Sequence, residues 1–124
     1  MPPSAADIEG YRLVFTVSLG VLFRFVSGDD FGEDEAIEFL RAYRATMPRI
    51  RRTLNPQRVR VTRRSAFYAS MAEMYIDLIP GAQIVAEEIL SKIGGNTMSL
   101  DDATKIVLCA GYHATKVFME ALRY

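Results

Sequence analysis

Residues 5–26 read AADIEGYRLVFTVSLGVLFRFV, and their reading decides between an all-helical chain and a mixed one. The middle of the stretch, Val14–Val17, is rich in Val, Phe and Thr and suits a strand. The apolar segment is longer than one strand needs, which favours a helix from about Ala5 to Val26 that ends at Gly28. Ser4 followed by Asp7 resembles an N-cap with an acid at the third helical position. The helix is apolar nearly all round, so it is expected to be buried on most sides, inside its own domain or against a neighbour. Its longest uncharged run, Leu13 to Phe23, has 11 residues. A bilayer-spanning helix needs roughly 20, so no membrane span is expected. The start, Met1 to Asp7, has no basic region and no cleavage pattern follows, which argues against a signal peptide and for an intracellular or virion-associated protein.

Working outward, residues 27–32 (SGDDFG) form a loop, and Glu33, Asp34 and Glu35 open a second helix where acids suit the positive end. Ala36, Ile37, Leu40, Tyr43 and Met47 recur at helical steps until Pro48, which either kinks this helix or begins another. Asn55-Pro56 is the next turn. A third helix runs from Pro56 or Val59 to Ile79, with Phe67, Met71, Met74, Tyr75 and Leu78 on one face, and Pro80-Gly81 is expected to stop it. A fourth, from about Ala82 to Ile93, carries Ala82, Val85, Ala86, Ile89 and Ile93 on one side and ends at Gly94-Gly95. Ser99, with Asp101 and Asp102, starts the last helix. Its stripe of Leu100, Ala103, Ile106, Val107, Ala110, Ala114, Val117, Ala121 and Leu122 persists almost to the end. Arg58-Val59-Arg60-Val61 alternates like a strand fragment but finds no partner strand, so the expected fold is all-α. It is a compact bundle of about five helices in a single domain, residues 1–124, with half the residues apolar and able to form a core.

Charge is segregated along this bundle. Residues 1–40 carry eight acids against Arg12 and Arg24 (−6), and residues 73–124 carry seven acids against four bases (−3). Between them stand nine arginines and no acid (+9): Arg41, Arg44, Arg49, Arg51, Arg52, Arg58, Arg60, Arg63 and Arg64. If the second helix passes Pro48 with a modest kink, Arg41, Arg44, Arg51 and Arg52 fall within an arc of about 100°. Leu40, Tyr43, Met47, Ile50 and Leu54 fill the adjoining arc. Arg60, Arg63 and Arg64 share the sector of Phe67, Met71, Met74 and Leu78, so the core-facing side turns cationic towards its N-terminal end. Buried unpaired guanidiniums cost several kcal/mol each, so that end extends past the core or meets an anion. Joined by the Asn55-Pro56 turn, the two stretches make a protruding basic helical hairpin.

Arginine's planar fork suits phosphate and carboxylate alike. The block offers few groups to read bases: Asn55 and Gln57 sit at the turn, and Tyr43 is its one aromatic. The expected function is therefore non-enzymatic, sequence-independent binding of the DNA or RNA backbone. The chain would act as a repeated subunit of a nucleoprotein assembly, of the coat or packaging type or as the small subunit of an effector complex. The alternative is a protein-binding adaptor or inhibitor whose arginine face docks on an acidic surface. A third reading neutralises the block internally, with the acidic stretch Asp29–Glu38 folded against it. Self-association or docking in a larger assembly fits the apolar first helix.

No cofactor, metal or catalytic centre is called for. Cys109 and His113 stand four residues apart on a helix and could share a face, but two ligands do not close a zinc site. A Cys109 nucleophile would need His113 to be oriented by a third group, which the sequence does not offer. The acids at Asp29, Asp30 and 33–35 do not follow calcium-loop spacing. Gly94-Gly95-Asn96 lacks the lysine–serine pair of a phosphate loop.

Overall fold

The computed structural model describes residues 5–45, 63–94 and 98–122. Four helices run through them: α1 (Ala5–Val26), α2 (Glu33–Arg44), α3 (Arg63–Ser91) and α4 (Leu100–Ala121). No strand occurs among the described residues, and 14–17 lie within α1, so the strand alternative for that stretch is discarded. A lone strand of these residues would have no ladder partner, whereas a helix satisfies its own backbone.

α1, α3 and α4 pack against one another, and α2 lies along α4. The core draws Phe15, Leu19 and Val26 from α1, Phe31 from the loop, and Ala36 and Leu40 from α2. Leu78, Ala82, Val85, Ala86 and Ile89 come from α3, and Ala103, Ile106 and Val107 from α4. The closest approach is α1 to α4 at Gly111, where an added Cβ would stand 2.7 Å from Phe15 Cε1. Only a glycine lets that ring come so close to the α4 backbone. Just below it, the buried Thr115 hydroxyl donates to the Gly111 carbonyl at 2.7 Å, so no polar atom there is left unpaired. At the surface, Arg12 donates to Asp77 at 2.7 Å and ties α1 to α3.

Helix ends follow local chemistry. The Gly32 amide donates to the Glu35 carboxylate at 3.0 Å at the head of α2. Ser99 accepts from the Asp102 amide at 3.2 Å at the head of α4. Ser4, Asn55-Pro56 and residues 58–61 lie outside the described residues.

Two expectations need correction. Pro80 does not stop a helix: α3 is continuous from Arg63 to Ser91 with Pro80 inside it, so the expected third and fourth helices are one. Four helices cover the described residues, and the expected count of about five rests in part on residues outside them. An internal proline costs a helix roughly 3 kcal/mol through its lost N–H bond and its ring's clash with the preceding turn. Here Leu78, Ala82, Val85, Ala86 and Ile89 hold helical spacing across it, all buried, while Pro80 itself is exposed. Breaking the helix at Pro80 would pull one side of that row out of the core.

The second correction concerns the stripes. On α4 the buried row stops at Thr115, and Val117 and Leu122 are exposed, as is Phe118. On α1 burial covers Phe15, Leu19 and Val26 but leaves Leu13, Val17, Val21 and Phe25 exposed. The other half of the expected α3 face, Phe67, Met71, Met74 and Tyr75, has side chains outside those described. No described helix is long and apolar enough to cross a membrane.

Candidate nucleic-acid interface

α2 is positioned through a row of rings. Phe25 at the end of α1 meets Phe31 edge-on at 5.4 Å between centroids, and Phe31 meets Phe39 at 6.4 Å. Phe39 tilts against Tyr43 at 5.0 Å, and Tyr43 reaches the His113 ring on α4 at 6.1 Å. The row fixes one face of α2 to the bundle. The opposite edge of its last turn carries Arg41 and Arg44, both exposed. Cations in that turn are favoured by the partial negative charge of the helix end. Tyr43, the aromatic within the arginine block, is half-buried and engaged in this packing, so it is poorly placed to stack on a base.

Among the described residues, neither Arg41 nor Arg44 makes an ion pair. The ion pairs present are Arg12 with Glu9 and Asp77, Lys92 with Glu88, and Lys105 with Asp101. None uses an acid from 29–38, so no acid of that stretch is within ion-pair distance of Arg41 or Arg44. Its residues 33–35 instead head α2 and face the positive helix end.

Of the other arginines, Arg63 and Arg64 open α3, whose first turn has no acid, and their side chains lie outside those described. Arg49, Arg51, Arg52, Arg58 and Arg60 lie outside the described residues, and with them the expected hairpin and the arc beyond Pro48. The structure therefore brings together Arg41 and Arg44 on one turn and sets the backbone of Arg63 and Arg64 at the head of α3, while the other five lie outside the described residues.

It also adds two residues. Ile93 and Met98, from the connection between α3 and α4, join Ile37 and Leu40 to line an open groove of about 220 Å³ beside Arg41 and Arg44. Nothing local marks these two as neighbours of the arginines. They lie about fifty residues further along the chain, and only the packing of α2 on α4 brings them there.

Cys109 is buried in α4, while His113, four residues on, is exposed and turned to Tyr43. Among the described residues no group of three or more His, Cys, Asp or Glu side chains could hold a metal ion. No protein family, curated protein or solved structure matches this chain.

Proposed function

We propose that the protein is a non-enzymatic binder of the nucleic-acid backbone, working as a repeated subunit of a nucleoprotein assembly. The observation that carries this reading is the state of Arg41 and Arg44. Both are exposed on a helical turn with no ion pair among the described residues, and the Glu35 carboxylate at the head of the same helix accepts from the Gly32 amide instead. A further support is the head of α3, where Arg63 and Arg64 add positive charge to a helix start that already favours anions. A phosphate backbone supplies closely spaced anions without demanding base recognition, and each contact releases counterions.

Fluorescence anisotropy with unrelated single- and double-stranded DNA and RNA tests the proposal. Binding is expected to ignore sequence and to fall steeply with salt. Replacing Arg41 and Arg44 together with Gln should lower affinity across all sequences and reduce the salt slope by about two units. Absence of binding at low salt sinks it.

One observation favours a second reading. The groove of Ile37, Leu40, Ile93 and Met98 beside the same two arginines suits an acidic amphipathic protein segment, which a bare backbone would leave unfilled. A Met98→Asp substitution separates the two. It should reduce nucleic-acid affinity only modestly by charge, but abolish docking of a segment that needs the apolar groove.

A further inference from the structure

Along α1, the positions Gly10, Leu13, Val17, Gly20 and Arg24 alternate steps of three and four, the spacing of a helix–helix seam. Leu13 is 66% exposed, Val17 56% and the flanking Val21 61%. At Gly10 and Gly20 nothing lies within 4 Å of where a Cβ would stand. The seam is thus apolar, open and low at both glycines, where a second backbone can come close. The bundle does not use it, since α1 meets the core through Phe15, Leu19 and Val26 on another face. Isolated exposed apolar residues are ordinary, but a row in seam register is not. The row borders an open groove of about 360 Å³ between α1 and α3, walled by Thr16, Gly20, Phe23 and Ile84.

Charge at the two ends of the seam says what covers it. Glu9 is 73% exposed, and its contact with Arg12 is 3.9 Å, beyond hydrogen-bond reach. Arg24 is exposed and makes no ion pair among the described residues. A parallel pairing of two α1 helices would set Glu9 on Glu9 and Arg24 on Arg24. An antiparallel pairing about a two-fold axis between Thr16 and Val17 sets Glu9 of each copy opposite Arg24 of the other. The same register places Leu13 of each copy over Gly20 of the other, a large side chain on a bare backbone at the edge of the groove.

We infer that this face binds a second copy of the chain, forming an antiparallel α1–α1 dimer. The contact uses the same patch on both subunits and closes on itself. It specifies the assembly step of the proposed function without depending on what the arginines bind.

Sedimentation velocity of the full chain over a concentration series tests it. The wild type is expected to pass from monomer to dimer and no further. Val17→Glu, which puts two carboxylates at the axis, should weaken the dimer by more than about a hundredfold with an unchanged far-UV spectrum. Glu9→Arg alone, replacing two attractions by two repulsions, should weaken it about tenfold, and Glu9→Arg with Arg24→Glu should restore it to within about threefold. A wild type that stays monomeric, a dimer indifferent to Val17→Glu, or a double reversal that fails to recover would each overturn the inference. The two readings fail separately: a dimer that ignores nucleic acid sinks the function and spares this interface. A monomer that binds any backbone does the reverse.

Discussion

α1 and α4 are both 22-residue helices of mixed apolar and polar residues, yet the bundle treats them differently. α4 sorts its apolar residues along most of its length, up to Thr115. Ala103, Ile106, Val107 and Ala110 are buried on one side, while Asp101, Asp102 and Lys105 face water. α1 does not sort them. Phe15 and Leu19 go inward while Leu13, Val17 and Val21 remain outside on uncharged turns. A helix that serves only its own core needs one apolar stripe, about a third of its surface. α4 has that stripe and α1 has about two. The comparison teaches that α4 leaves apolar side chains outside only towards its ends, at Leu100, Val117, Phe118 and Leu122, whereas α1 carries a second apolar surface along its middle.

The largest way to break the comparison is to empty the shared core. Ile89→Ala, at a side chain fully buried among α1, α3 and α4, should destabilise the fold by about 2–5 kcal/mol in urea unfolding. Leu13→Ala, an apolar truncation of similar size on the outer face of α1, should change monomer stability by no more than about 0.5 kcal/mol. Equal costs would mean that the outer face is part of the core after all.

Glycines give the sharper contrast. Gly111→Ala drives a methyl group into the Phe15 ring and should cost about 1–3 kcal/mol, read as a lowered thermal midpoint. Gly20→Ala meets open space on a helix interior and should stabilise the monomer by up to about 1 kcal/mol, read as a raised midpoint. The sign reversal between two glycine-to-alanine changes is the test. The smallest effect belongs to the link between α1 and α3. Arg12→Ala removes the 2.7 Å contact with Asp77, which is half in solvent, and should cost about 0.2–1 kcal/mol. Its dependence on salt should separate the charge from the lost packing of the side chain.

The readable parts of this fold were those with local causes. The bounds of α1 and the starts of α2 and α4 follow from periodicity and from caps such as Ser99. The loop at 27–32 has no helical signal and is found between α1 and α2. Pro80 was misread because a proline in a sequence states only its local cost. Whether that cost is met depends on the buried row at Leu78, Ala82 and Val85, which is a tertiary fact. The candidate interface divides in the same way. That Arg41 and Arg44 share a turn is legible from their spacing of three. That Ile93 and Met98 stand beside them is not.

What the sequence determined alone was the helical class, the segregation of charge into a cationic middle and acidic flanks, and the excess of apolar residues in 5–26. These depend on residue type and spacing, which short-range physics reads directly. Tertiary structure decided which side of α1 is covered, that α3 runs unbroken through Pro80, and that Ile93 and Met98 stand beside Arg41 and Arg44. Each of those outcomes is a competition between distant groups for the same surface, and only packing settles which of them meet.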